Sequence, residues 1–293
     1  MDQRLLDSSK YRISSLSIDT RFADQLYHGT SDFMIRTPST YKNIARVMLS
    51  SVELPLTEFV FSDHHGNVTF AVQVGESEDW IVKAIPDGNY TPDQMLTIMT
   101  IRLREVDQYF NCEMGKLTGR FIIMNTNTPF KLKLFSDKLT IACRRTHWGI
   151  GYYLGFREKE VSSGPNPCDG TQQVVATALL QVNPTPYYLL QLSCSETLDN
   201  IVHRVSEGGS VPAFAKLVLR NGMYVLQFIN GDDWMRKEYT FLTPVNISQI
   251  RVKLLDPFGE IVNMSDMDWS LTLELYEVVN SRTYAHMGLG YER

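Results

Sequence analysis

The sequence of 293 residues has little cysteine and no large excess of charge of either sign. Its four cysteines, Cys112, Cys143, Cys168 and Cys194, lie far apart, and no CxxC pair occurs. So few cysteines in so long a chain do not form a disulfide framework, which predicts reduced thiols in a cytosolic assembly environment. The formal net charge is −5. Because nucleic-acid-binding proteins usually carry a basic face, this balance argues against a nucleic-acid partner.

Long apolar runs are also missing. None approaches the roughly 20 residues that span a bilayer, which predicts a soluble protein with no direct membrane insertion. The first residues, MDQRLLDSSKYRISS, lack the apolar stretch of a secretory signal. The four matches to the N-glycosylation pattern are therefore interpreted as turn asparagines that precede x-Ser/Thr. They are Asn67, Asn89, Asn246 and Asn263.

The sequence shows no catalytic constellation. No serine or cysteine lies in a G-x-S-x-G elbow, and Ser193–Cys194–Ser195 is interpreted as small residues at a strand end. Four isolated histidines cannot be paired with a nucleophile from the sequence; they are His28, His147, His203 and His286. We therefore predict that the protein is not an enzyme, has no catalytic residues and takes no small-molecule substrate.

Cofactor and metal motifs are incomplete. Gly149–Gly155 has its last glycine one residue late for a dinucleotide loop, and close packing of an aromatic-rich strand explains it better. Asp63–His64–His65 combines imidazole and carboxylate groups, but its context is that of a solvated turn. The acidic pairs Asp232–Asp233 and Asp266 with Asp268 lack the spacing of a calcium loop, although weak ion binding at a loop stays open. We predict no cofactor-binding and no metal-binding residues.

Alternating apolar residues predict many strands. Val47 and Leu49 share one face of an extended segment, and Val52 and Leu54 have the opposite parity, which predicts a β-bulge at Ser50–Ser51. Residues 68–74 and 80–85 are predicted to form a hairpin, and so are the segments around Asn221–Gly222 within 214–229. Further strands are expected at 121–124, 130–135, 139–142, 188–193, 250–256 and 271–279. Residues 157–173 are expected to form a surface loop, and Asp256–Gly259 a turn.

One amphipathic helix is expected at residues 92–110. Thr91 is positioned to cap it, with Pro92 at the first helical position and Gln94 at the third. Apolar residues spaced three or four apart form one face; they are Met95, Met99, Leu103, Val106 and Phe110. Packing of this face in the core is favoured over an exposed interaction groove.

These elements predict a mainly β protein, an antiparallel jelly-roll sandwich with one helix and long loops. Residues 1–17 are polar and are expected to form an N-terminal arm toward neighbouring subunits. A single jelly-roll domain is expected over 18–279, with a variable middle region at about 105–210. Residues 280–293 are expected to be a C-terminal tail.

Short pieces of sequence spread over most of the chain resemble one family. They are Ile18–Phe22, Ser31–Phe33, Asn43–Ile44, Leu49–Pro55, Ile85–Thr91, Leu154–Phe156, Pro244–Ile247, Leu254–Asp256 and Trp269–Leu275. Together they resemble the jelly-roll capsid proteins of nucleocytoplasmic large icosahedral DNA viruses. That family includes minor capsid proteins and the penton protein of the five-fold vertices.

The resemblance implies a structural virion protein, assembled in the host cytoplasm, with the penton capsomer as the preferred role. Its implied partners are further copies of itself, in a homopentamer, and neighbouring major and minor capsid proteins. A minor capsid protein beneath or between major capsomers is the alternative, and a carbohydrate-binding jelly-roll module is an alternative of another class. His147–Trp148 and Trp234 are equally consistent with interface anchors and with core residues.

Overall fold

The computed structural model describes residues 11–135, 149–183, 185–204, 209–219, 226–230 and 237–279. Their contacts divide into two compact units. Unit 1 takes the described residues of Met1–Glu58 and Thr185–Arg293, and unit 2 takes those of Phe59–Pro184. The single domain expected over 18–279, with its variable middle, stays a prediction. The predicted tail at 280–293 and the predicted strand at 139–142 lie outside the described residues.

The described chain is mainly β, and every ladder between its strands is antiparallel, which confirms the predicted fold class. The strands are β1 (Tyr11–Asp19), β2 (Gln25–Leu26), β3 (Asp32–Pro55), β4 (Thr69–Val74), β5 (Ile81–Ala84), β6 (Phe110–Met114), β7 (Arg120–Asn125), β8 (Phe130–Lys133), β9 (Glu160–Ser162), β10 (Gly164–Pro165), β11 (Gln172–Leu179), β12 (Tyr187–Ser193), β13 (Ile201–Arg204), β14 (Ser210–Ala213), β15 (Ala215–Val218), β16 (Leu226–Asn230), β17 (Glu238–Leu255) and β18 (Ser270–Val278). The helices are α1 (Pro92–Arg104) and α2 (Ile150–Leu154), and a 3-10 turn spans Thr20–Phe22.

Unit 1 is built on one long strand, β3. Its sheet runs β1-β18-β3-β17-β12-β15, and β2 and β16 also pair with β3. The register between β3 and β17 shifts in the middle of both strands, where bulges bend a ladder. Phe33 and Ile35 from the first half of β3 share a core with Val47 and Leu49 from the second half. The bent strand therefore wraps this core, and the sheet closes over it as a sandwich.

The bulge predicted in β3 is confirmed. Thr272 of β18 lies opposite Ser51, and the next residue, Leu273, lies opposite Leu49, so Ser50 is the extra residue. The shift lets Leu49 and Val52 point into the same core despite their opposite parity. The inward alternation predicted for β17 and β18 is also confirmed.

Unit 2 contains two four-stranded sheets, in the orders β5-β4-β8-β9 and β10-β11-β7-β6. Phe70 and Leu132 of the first sheet share a core with Phe121 and Ile123 of the second. The predicted hairpin of residues 68–74 and 80–85 is confirmed as the pair β4 and β5.

Helix α1 packs on this second core and ends earlier than predicted. The capping box of Thr91 and Gln94 is present. Met95, Met99 and Leu103 are buried as expected. The chain leaves the helix after Arg104, because Asp107 begins a turn and its side chain accepts the amide of Tyr109. The final apolar residue of the predicted face, Phe110, is therefore the first residue of β6.

The hairpin predicted around Asn221–Gly222 is wrong. Strand β15 pairs with β12, and β16 pairs with residues 51–55 of β3, so the two flanking strands have different neighbours. The turn residues themselves lie outside the described residues. A local turn signal was overridden by pairing with strands that are distant in the sequence.

Two loop predictions also need correction. Of the arm predicted at 1–17, residues 1–10 lie outside the described residues, whereas Tyr11 onward forms strand β1, paired along β18, with Leu16 buried in the core. Its Ser-rich sequence shows only a short alternation, and the backbone pairing supplies the rest. The predicted loop at 157–173 contains β9 and β10, which are short edge strands with almost no apolar residues to reveal them.

Candidate assembly surfaces

Three distant pieces of unit 1 meet around Trp269, which is buried. The Trp269 indole N–H donates to the carbonyl of Thr30 at 2.7 Å. The backbone amide of Trp269 donates to Thr20 Oγ1, and the amide of Thr20 donates back to the Trp269 carbonyl, both at 3.1 Å. The ring of Phe33 packs edge-to-face on the indole at 5.8 Å. This network fixes the chain at residues 20–33 against the start of β18.

A buried ion pair fixes the same region to β17. Asp32 is 1% exposed and accepts two hydrogen bonds from Arg251, at 2.8 and 2.9 Å. Burial alone would raise the pKa of Asp32, but the hydrogen bonds and charge of Arg251 outweigh it and hold that pKa below its usual range. The Arg251 guanidinium also lies 4.1 Å from the ring centre of Tyr27. A bidentate pair of this kind sets the geometry of the neighbouring loop.

Exposed apolar side chains lie on the chain segments that this network holds. We call them the corner surface: Phe22, Leu26, Tyr27 and Met267, which are 78, 53, 39 and 47% exposed. The hydroxyl of Thr30 donates to the Met267 carbonyl at 2.9 Å and joins the two segments. Large apolar side chains held in place on a rigid framework are typical of protein contact surfaces.

Strand β16 carries a second apolar surface, because two of its apolar side chains face outward and the polar side chain between them faces inward. Gln227 is 3% exposed, whereas its neighbours Leu226 and Phe228 are 56 and 55% exposed. An edge strand of a monomer usually turns its apolar residues inward. We call Leu226 and Phe228 the β16 face. The sequence shows that apolar and polar residues alternate along this strand, but it does not show which of the two sets faces outward. Sequence reasoning therefore missed the β16 face.

Glu58 was also missed, because nothing in the sequence marks it. The Tyr188 hydroxyl donates to its carboxylate at 2.9 Å. Burial raises the pKa of Glu58 to about 7, and the nearby charge of Asp256 adds to the rise. Burial and the neighbouring Glu58 likewise raise the pKa of Tyr188. The pair is a protonation-sensitive contact inside unit 1.

The structure describes two of the acidic and histidine clusters of the sequence, Asp63–His65 and Asp266 with Asp268. In the described part of the chain, no three His, Cys, Asp or Glu side chains lie together as ligands. His64 and His65 stack on each other in a turn, with ring centres 5.5 Å apart. Asp268 accepts the hydroxyl of Thr20 at 2.8 Å. Asp232 and Asp233 lie outside the described residues.

The candidate nucleophiles and histidines are placed apart. Cys194 lies in a turn where its amide donates to the Glu196 carbonyl. The ring of His203 contacts the Pro257 carbonyl at 3.0 Å, and His28 lies beside Asp32 at 3.4 Å. His147, Trp148, Trp234 and His286 lie outside the described residues.

The glycine run at 149–155 is a short helix, α2, and not the expected strand. Its last glycine has φ +91°, and a Cβ there would lie 2.3 Å from the carbonyl oxygen of Ala178. These glycines permit a close approach of two backbones.

Three asparagines of the glycosylation pattern, Asn67, Asn89 and Asn263, lie outside helices and strands, whereas Asn246 lies inside strand β17, so its interpretation as a turn asparagine is wrong. Asn67 is fully buried and bonds the backbone of Ser62 and Val60. Asn89, Asn246 and Asn263 each accept a backbone amide through the side chain. No helix among the described residues is long and apolar enough to cross a membrane.

Comparison with known proteins gives structural likeness only. No family model and no curated protein matches the chain. The chain is similar to the mavirus penton protein with 11% identity and a TM-score of 0.48, over 92% of this chain and 100% of that one. It is also similar to a chain of the Sputnik virophage structure obtained by cryo-EM, with 12% identity and a TM-score of 0.43, over 92% and 98% of the two chains. With both TM-scores below 0.5, neither protein's role passes to this chain on these numbers.

Proposed function

We propose that the protein is a structural virion protein, the penton capsomer at the five-fold vertices of an icosahedral capsid. One observation carries the proposal. Three of the sequence pieces that resemble the capsid family, at 18–22, 31–33 and 269–275, contact one another around Trp269. Pieces that are short by themselves thus form one continuous part of unit 1.

The exposed surfaces of unit 1 suit assembly into a ring. A ring of identical subunits uses two different patches, one on each side of every subunit. Unit 1 offers two apolar patches made of different residues, the corner surface and the β16 face. We propose that contacts between copies, and with neighbouring capsid proteins, use these patches. The proposed role needs no cofactor and no catalytic residue.

Imaging of the intact particle tests the role. In a cryo-EM map of virions, five copies of this chain around each five-fold axis are expected. Density for the chain only away from these axes would reject the penton role in favour of a minor capsid protein. Absence of the chain from purified particles would reject the structural role altogether.

Solution behaviour is a weaker test, because ring contacts can depend on neighbouring capsomers. Incorporation into particles is therefore the better readout for variants. Met267→Ser and Phe228→Ser each remove one exposed apolar side chain and are expected to reduce incorporation. Leu117→Ser is the matched control, since Leu117 is fully exposed in unit 2 and belongs to neither patch.

A further inference from the structure

Unit 2 contains an open groove of about 750 Å³ that the capsid role does not use. Its polar lining comes from two arginines, two threonines and two amide side chains: Arg120, Arg157, Thr118, Thr177, Gln181 and Asn183. Ala178, Leu179 and Leu180 add an apolar part. Among the described residues that line the groove there is no aspartate or glutamate. The volume lies within the range of about 300–1,000 Å³ that is usual for small-ligand sites.

One wall of the groove is a bulge in β11. The pairing of β11 with β7 shifts between Val175 and Leu179, which displaces the residues between them from the ladder. The amide of Ala178 then donates to the Gly155 carbonyl at 2.9 Å, and the Thr177 hydroxyl donates to the same carbonyl at 3.3 Å. Because only a glycine fits at position 155, this wall depends on that close contact.

The turn between β6 and β7 and the first residue of β7 also line the groove, through Thr118 and Arg120. The amides of Thr118 and Gly119 both donate to the Gly115 carbonyl, at 3.2 and 2.8 Å. The amide of Gly115 donates to the Arg120 carbonyl at 2.9 Å. These backbone bonds fix the positions of Thr118 and Arg120 at the groove.

The guanidinium of Arg157 is held by neutral groups. It donates to the carbonyls of Tyr152 and Phe156 at 2.9 and 2.8 Å and lies 4.6 Å from the ring centre of Tyr152. Within the described ranges, neither Arg157 nor Arg120 forms a salt bridge with a carboxylate. Arg157 is thus both ordered and uncompensated in charge, which favours an anion at low entropic cost.

We propose that this groove binds an acidic sugar, with its carboxylate on the two arginines and its hydroxyl groups on the threonine and amide side chains. Guanidinium groups match carboxylates in geometry as well as charge. Hydroxyl and amide side chains both donate and accept hydrogen bonds, as the hydroxyl groups of a sugar do. The exposed Leu179 offers an apolar contact for the C–H face of the ring. This inference does not depend on the capsid role.

Binding of glucuronate to the full chain, measured by calorimetry, tests the proposal. Saturable binding of glucuronate is expected, and glucose should bind at least about tenfold more weakly because it lacks the carboxylate. Arg157→Gln and Arg120→Gln should each weaken glucuronate binding about tenfold. Lys116→Gln removes the same charge from the same turn outside the groove lining and should leave the affinity unchanged.

Competing anions decide the chemical class. Inorganic phosphate and a short polyglutamate peptide are titrated under the same conditions. Equal or tighter binding of either one would overturn the sugar assignment and leave a general anion site. Glucuronate binding that is absent at about ten millimolar, or equally weakened by Lys116→Gln, would overturn the proposal itself.

Circular dichroism of each variant checks the fold. Arg157→Lys keeps the charge, and its affinity for glucuronate should lie between those of wild type and Arg157→Gln.

Discussion

One arginine in each unit is held by a different kind of partner. In unit 1, Arg251 forms an ion pair with the buried Asp32 and packs on Tyr27 of the corner surface. In unit 2, Arg157 is ordered by neutral carbonyls and its charge stays available. A compensated charge stabilises the subunit, whereas an uncompensated ordered charge is prepared for a ligand.

We infer from this difference that the two units have different functions, although both are built from β-strands. Both units bury continuous aliphatic and aromatic cores, so core composition does not distinguish them. The two units differ in the side chains that remain outside their cores. We expect unit 1 to meet other protein chains and unit 2 to present a polar recognition site.

The largest effect on unit 1 is expected from Trp269→Ala. The change removes a buried indole and its hydrogen bond to Thr30, and should lower the free energy of unfolding by about 3–5 kcal/mol. Denaturant unfolding measures the loss. Hydrogen exchange should quicken in β1 and β18 but not in β6 and β7; equal acceleration in both units would show that they unfold together. Trp80→Ala in unit 2, where the indole is only half-buried, is the control.

In unit 2, the largest loss of stability is expected from Gly155→Ala. Its new Cβ would collide with the Ala178 carbonyl at a backbone φ of +91°, so we expect a loss of about 2–4 kcal/mol. Gly170→Ala is the matched control, since Gly170 also has a positive φ but has nothing within 4 Å of a new Cβ. Both variants place an alanine at a positive φ, but only Gly155→Ala adds a steric collision. The difference between their melting temperatures should therefore measure the cost of the collision alone. Equal melting temperatures would contradict the close approach that forms the groove wall.

A pH dependence is expected from Glu58 in unit 1. Its folded pKa of about 7 exceeds the unfolded value near 4.5, so the folded state holds this proton more tightly. The stability contributed by protonated Glu58 is therefore complete at pH 4.5 and is lost as the pH rises toward 7 and above. Glu58→Gln stays neutral and should not show this loss. The difference in unfolding free energy between wild type and variant should change by about 1–2 kcal/mol over that range, after allowance for partial exposure. A constant difference would contradict the raised pKa.

Short sequence motifs correctly predicted the structural features that depend on only a few neighbouring residues. The capping box at Thr91 and the bulge at Ser50 follow from a few neighbouring residues, and both are present. The Asn221–Gly222 hairpin failed because the partners of β15 and β16 are 25 or more residues away along the chain, which no turn signal reveals.

The candidate sites were harder to predict than the fold. The Asp32–Arg251 pair joins residues 219 positions apart, and Arg120 and Arg157 both line the groove formed beside the bulge in β11. Their residue types are ordinary, and only folding brings them together. The resemblance at 18–22 and 269–275 covers segments that meet in unit 1, but it did not show which of their side chains face outward.

The smallest effect on stability is expected from Phe228→Ser on the β16 face. Phe228 is 55% exposed, so its removal should change the free energy of unfolding by no more than about 0.5 kcal/mol. The same change should reduce self-association at high protein concentration, measured by sedimentation, because an exposed aromatic on an edge strand is a strong contact residue. Leu117→Ser in unit 2 should change neither quantity. Loss of stability without loss of association would mean that Phe228 supports the fold of unit 1, and equal effects of both variants would remove the distinction between the two units.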